Sequence, residues 1–161
     1  MKFSKCKVLT MCLLIAIAAQ GVFAGSQCKD IFAVQQDRLI AEGCTSPIAF
    51  CAGGTFTGNH GFRGKFFFVA LSFDQILTDP KPVHRQVVPG ISKYTTDDGA
   101  LTISDVSVFD TERRTFAGIG YITEGTGRFA GATGDVFTNG RVSADGLSFT
   151  TDMTAQICFP N

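Results

Sequence analysis

The 161 residues carry fourteen basic and fourteen acidic side chains, so the formal net charge is zero. Without a basic excess the chain lacks the electrostatic footprint that nucleic acid or an anionic membrane surface rewards, and its length suits a single domain with one core. Six cysteines, eighteen glycines, sixteen phenylalanines and no tryptophan mark the composition.

Residues 1–24 read as a signal peptide. Lys2, Lys5 and Lys7 form a basic start, and Val8 to Ala19 is a mostly apolar run, shorter than the ~20 residues of a membrane-spanning helix. Val22-Phe23-Ala24 then places small-enough side chains at the −3 and −1 positions of a cleavage site. Cys12 and Cys28 follow Met11 and Gln27, where a lipid-modified cysteine wants a small residue. The expected mature chain is one domain, 25–161, secreted or periplasmic and free of the membrane after cleavage. Losing three lysines and no acid leaves eleven basic against fourteen acidic residues, a net charge of about −3.

Cys28, Cys44, Cys51 and Cys158 remain after cleavage. An even number in an exported chain points to two disulfides, for which three connectivities exist. Cys44 and Cys51 flank a short Thr-Ser-Pro-Ile-Ala-Phe segment, and Cys28 and Cys158 lie near opposite ends of the chain. The preferred pairing is therefore Cys44–Cys51 and Cys28–Cys158, the second expected if first and last strands are neighbours. No metal is expected, because close Cys pairs are missing and His60 and His84 are far apart in the chain.

Along the mature chain, Ile31 to Ala41 fits either a short helix or a strand. From Thr55 onward, strand-like runs alternate with Gly, Pro, Asn and Asp punctuation. Phe66 to Phe73 is apolar on both faces at its start and alternates afterwards. Val83 to Val88 begins another extended piece, and Thr96-Asp97-Asp98-Gly99 is a turn. In Leu101 to Phe109 the apolar residues change parity, Leu101 and Ile103 against Val106 and Val108, which predicts a bulge near Ser104-Asp105. Thr115 to Thr123 carries Gly118 and Gly120 on one face, where a barrel wall bends. Val136 to Ser143 follows, then a turn at Ala144-Asp145-Gly146 and a last strand, Leu147 to Cys158. Many short strands with glycine turns predict an all-β sandwich or barrel.

The stretch from Ile122 to Gly134, ITEGTGRFAGATG, raises a rival reading. Gly125-Thr126-Gly127-Arg128-Phe129-Ala130 fits the G-x-G-x-x-A of dinucleotide-binding loops, with Asp145 twenty residues beyond Gly125. That loop works by running into a helix whose N-terminus meets the pyrophosphate. Here Gly131, Thr133, Gly134, Val136, Phe137, Thr138 and Gly140 follow, a poor helix. No cofactor is expected.

Ile122-Thr123, Gly125, Gly127, Phe129, Gly131-Ala132 and Gly134 instead resemble the barrel corner of the allene oxide cyclase and dirigent families, and the chain is similar to small exported bacterial proteins of that type. The resemblance covers about Thr115 to Val142. It implies a single eight-stranded antiparallel β-barrel, here stapled by disulfides, with a hydrophobic lumen plugged by Phe129, and it implies a trimer as the homo-oligomer. The chain departs from the dirigent pattern at Thr133, where Arg is usual, and at Glu124, where a second Gly is usual. No catalytic residue carries over.

Chemistry is sparse. There is no G-x-S-x-G elbow, H-E-x-x-H or P-loop. Glu124 is the candidate catalytic acid, on condition that its carboxylate faces the lumen. Phe67, Tyr121, Phe129 and Phe149 are the candidate ligand-binding residues. Three functions stay open: a module binding a small hydrophobic molecule in the lumen, which is preferred; a cofactor-independent isomerase or cyclase of the allene-oxide-cyclase type; and a barrel acting through its outer surface.

Overall fold

The computed structural model describes residues 27–75 and 84–160. The expected leader, 1–24, lies outside the described residues, so they do not bear on it.

The chain is all-β. The strands are β1 (Gln27–Leu39), β2 (Cys51–Gly58), β3 (Arg63–Ala70), the two-residue β4 (Asp74–Gln75), β5 (Arg85–Thr96), β6 (Gly99–Asp110), β7 (Thr115–Gly125), β8 (Thr133–Val142) and β9 (Ser148–Phe159). All pairings are antiparallel, and β3 pairs with β5 while β1 pairs with β9. Eight strands thus close into a ring, and β4 is a short addition on β5. Alternation drives the fold: along β9, Phe149, Thr151, Met153, Ala155 and Ile157 are buried, with exposed residues between them. Along β1 the buried set is Ile31, Ala33, Gln35 and Asp37, so the segment that also fitted a helix is a strand. Its period of two is visible only if Gln35 and Asp37 are counted as interior.

One end of the barrel is filled. Phe56 and Phe62 pack with ring centroids 4.6 Å apart, Phe56 and Tyr94 at 5.2 Å, and Phe62 and Phe129 at 6.0 Å. Leu101, Ile103, Met153 and Ile157 complete this plug, each almost wholly buried. Phe129 reaches it from a turn of 3-10 helix, Gly127–Phe129, between β7 and β8. The corner needs glycine at two points for separate reasons. Gly127 has φ of 59°, and a Cβ there would lie 2.0 Å from the Asp98 carbonyl oxygen. A Cβ on Gly125 would lie 1.9 Å from the carbonyl oxygen of Phe129. The stretch that matched a phosphate loop is therefore a strand-to-strand corner.

Both disulfides pair as expected. Cys28–Cys158 joins residues that face each other across the β1–β9 ladder, and Cys44–Cys51 closes the connection between β1 and β2. They are compatible with an extracellular location. Among the described residues no helix is long and apolar enough to cross a membrane.

The expected bulge near Ser104-Asp105 is not there. β6 keeps one parity, with Leu101, Ile103 and Ser107 buried and Val106 and Val108 exposed on the outer wall. The register shift falls instead between Thr102 and Ile103, where β7 supplies the extra residue Thr123. The expectation failed because it assigned the apolar valines to the interior, and the interior at that height is polar.

Phe129→Ala should lower stability by about 3–5 kcal/mol, the usual cost of emptying a buried aromatic site. Urea unfolding followed by far-UV circular dichroism measures it; a loss below about 1 kcal/mol would show that the corner does not depend on its plug.

Candidate functional site

Beyond the plug the interior changes character. Strand alternation forces Gln35 and Asp37 of β1, Ser92 of β5, Asp105 and Ser107 of β6, Thr138 of β8 and Thr151 of β9 inward. Together with Phe50, Ala52, Phe66, Phe68, Tyr94, Phe109, Phe116 and Phe149 they line a cavity of about 60 Å³. That holds a few waters at the ~10–15 Å³ each requires, or the head of a small organic molecule. Space for the β6 side chains comes from β7. A Cβ on Gly120 would lie 2.7 Å from that of Asp105, and one on Gly118 would lie 2.5 Å from Ser107 Oγ.

Asp37 and Asp105 face this cavity from opposite walls, since β1 and β6 stand four places apart around the eight-stranded ring. The Tyr94 hydroxyl donates to Gln35 Oε1, and Gln35 Nε2 donates to Asp37 Oδ2 at 3.3 Å. Ser92 Oγ donates to Asp105 Oδ2 at 2.5 Å. Each carboxyl has its other oxygen, Oδ1, buried without a hydrogen-bond partner.

Burial pushes Asp37 up to about 7, against the opposing hydrogen bond from Gln35. Burial likewise pushes Asp105 up to about 6, against the bond from Ser92. Desolvation outweighs hydrogen bonding at both, and among the described residues no Lys, Arg or His lines the cavity. Burial first, then the charges of Asp105 and Asp37, raise the Tyr94 hydroxyl well above its usual range. The lumen therefore holds two acids that exchange protons near neutrality, set among phenylalanine rings.

The cavity opens at the end away from the plug. Cys44–Cys51 holds the connection that carries Phe50, whose ring packs on Phe73 at 5.0 Å, Phe149 at 6.3 Å and Phe68 at 6.4 Å. Ser46 Oγ donates to the Ala70 carbonyl at 2.6 Å, and the Ala70 amide donates to the Phe50 carbonyl at 3.1 Å. Phe50 is thus fastened over the mouth from both sides.

The sequence-derived candidates fall in several places. Phe149 lines the cavity, and Phe129 belongs to the plug at the far end. Phe67 is half-buried on the outer face, because its neighbours Phe66 and Phe68 take the inward positions of β3. Tyr121 is 58% exposed, since Gly118, Gly120 and Ile122 take the inward positions of β7. Glu124 is exposed as well. The extra residue Thr123 pairs Glu124 with Thr102, on the outer side, whereas Ile122 pairs with inward Ile103. The acids that do face the lumen are Asp37 and Asp105. Both share the parity of apolar neighbours, Ile31 and Ala33 for one and Leu101 and Ile103 for the other, and that was their signal in the sequence. Compared with known proteins, the chain matches no protein-family model, no curated protein and no solved structure.

The folded chain holds the Asp37 and Asp105 protons more tightly than an unfolded chain does. Their contribution to stability is fully present below the ordinary 3.8 and is lost as pH rises through about 6 and about 7. Relative to an Asp37→Asn/Asp105→Asn variant, the wild type should lose stability steadily between those limits, at most roughly 1.4 kcal/mol per unit of displacement for each group. Thermal melts of both proteins across that range measure the difference; parallel curves would mean that neither acid is perturbed.

Proposed function

We propose that this chain is an exported, disulfide-stapled barrel that binds a small, largely apolar molecule in its lumen. The observation that carries this reading is a phenylalanine-walled cavity lined by two buried carboxyls, each with one oxygen unpartnered. An unsatisfied buried polar atom costs about 1–3 kcal/mol, a penalty that the polar group of a bound ligand offsets. The apolar walls supply affinity and the acids supply orientation. The resemblance of the corner to allene oxide cyclases and dirigent proteins supports the same reading.

A second reading, a cofactor-independent isomerase or cyclase, is favoured by the two acids whose protons exchange near neutrality. In it Asp37 and Asp105 replace Glu124 as the proton-transfer groups.

The outer wall favours self-association, the homo-oligomer that the resemblance implies. Phe137, Ile119 and Val106 stand in one row across β8, β7 and β6, and their exposures are 51%, 51% and 37%. A second copy of the chain is the occupant proposed for this row, since monomers rarely expose contiguous apolar patches.

Toluene titrated into methyl-labelled protein should move the Ala52, Thr138 and Thr151 signals, and Ser107→Leu, which fills the lumen, should abolish the change. Shifts confined to Ile119 and Val106 would put the ligand outside and end the lumen reading. In sedimentation, Ile119→Glu should convert the oligomer to monomer; a wild type that already sediments as a monomer overturns self-association.

A further inference from the structure

The lumen has an electrostatic peculiarity. Two acids stand on opposite walls, and among the described residues that line the cavity none is cationic. Taken strand by strand, the titratable groups facing the cavity are Asp37 on β1, Tyr94 on β5 and Asp105 on β6; β2, β3, β7, β8 and β9 contribute Phe, Ala or Thr. Arg38, next to Asp37 in the chain, is exposed on the outer face. Asp37 is only 7% exposed, yet its Oδ1 has no partner. A buried carboxyl in such surroundings has two ways to avoid an uncompensated charge: keep its proton, or take a cation from outside. Below about pH 6 the unliganded barrel keeps both protons.

We propose that the lumen's ligand is a small protonated amine with a compact apolar body, its ammonium group held by Asp37 and Asp105. This rests on the lumen being the binding site and adds the chemical class of what enters it. An ammonium brings three N–H donors and no acceptor, matching a lining whose two carboxyls are purely acceptors once ionised. Phe66, Phe68 and Phe149 present rings to the attached carbons, and aromatic walls also attract a cation that has been stripped of water. An anionic ligand would find nothing of opposite charge and two acids against it. A neutral alcohol can donate one hydrogen bond to a carboxyl but compensates neither charge.

Binding is then an exchange. The amine enters as a cation, the carboxyl that meets it gives its proton to solvent, and charge within the lumen stays balanced. Affinity must rise with pH until the carboxyls are ionised, by about tenfold per pH unit for each proton released.

The test is calorimetric titration of the disulfide-bonded protein with butylamine, 1-butanol and butyrate at several pH values from about 5 to about 8, below the range in which butylamine itself loses its proton. Repeating it in two buffers of different ionisation enthalpy counts the protons released. Butylamine should bind more tightly as pH rises, release about one proton or more, and lose at least about tenfold in affinity in Asp37→Asn and in Asp105→Asn. Far-UV circular dichroism shows whether those variants are folded; should one fail, the proton count on the wild type decides alone. Butanol binding as tightly as butylamine, without pH dependence, overturns the amine and leaves the lumen reading standing. Toluene uptake with no butylamine binding does the same. Loss of toluene and butylamine uptake together overturns both.

Discussion

A closed ring of eight strands encloses a space only about as wide as the side chains that point into it. Every inward position therefore competes with those on the facing wall, and the size of each residue decides where the barrel is solid and where it is hollow. Near the glycine corner the inward residues are Phe56, Phe62, Phe129, Leu101 and Met153, each almost wholly buried. Higher up, Ala52, Gly118 and Gly120 give back volume, and Asp37, Ser92, Asp105 and Ser107 use only part of it. The cavity is a deficit of side-chain volume in an otherwise close-packed interior.

That deficit explains why the polar groups are tolerated. An acid in a filled interior would be pressed against carbon on all sides. Here each acid keeps one hydrogen bond, Gln35 to Asp37 and Ser92 to Asp105, and leaves its other oxygen buried without a partner. Tyr94 joins the two regions: its ring packs on Phe56 in the plug and on Phe66 of the cavity wall, and its hydroxyl donates to Gln35. Natural folds depart from the oil-drop pattern mostly where the departure has a use. The departures in this barrel are confined to one end of one lumen.

How far the sequence could be read follows from the same division. The corner was legible because its backbone excludes every residue but glycine at Gly125 and Gly127, and a requirement of that kind is written directly in the residue names. The disulfides were legible because a short loop and two chain ends leave few pairings. β9 was legible because nearly all its inward residues are apolar. What failed were the segments carrying the site. Reading valine as interior and aspartate as surface put a bulge in β6 that does not exist, and it left β1 undecided between helix and strand. The true bulge adds one threonine to β7, a change of register with no side-chain signature, and it turned Glu124 outward. Asp37 and Asp105 were missed because the hydrophobic pattern, taken as the rule, hides the inward positions where polar residues break it.

Closure of the ring has a bearing on how this molecule can evolve. With β3 hydrogen-bonded to β5, the main wall has no open strand edge on which another chain's backbone can template itself. Another molecule touching the wall between its ends meets side chains, which change one at a time without disturbing a ladder. The connections at the open end are less tightly pinned than the corner: Gly43 between β1 and β2 and Gly146 between β8 and β9 hold positive φ, but a Cβ at either would meet no atom within 4 Å. Such a scaffold can vary widely at its open end while its closed end stays almost constant, so descendants with different open ends would share little beyond thirteen residues of glycine corner.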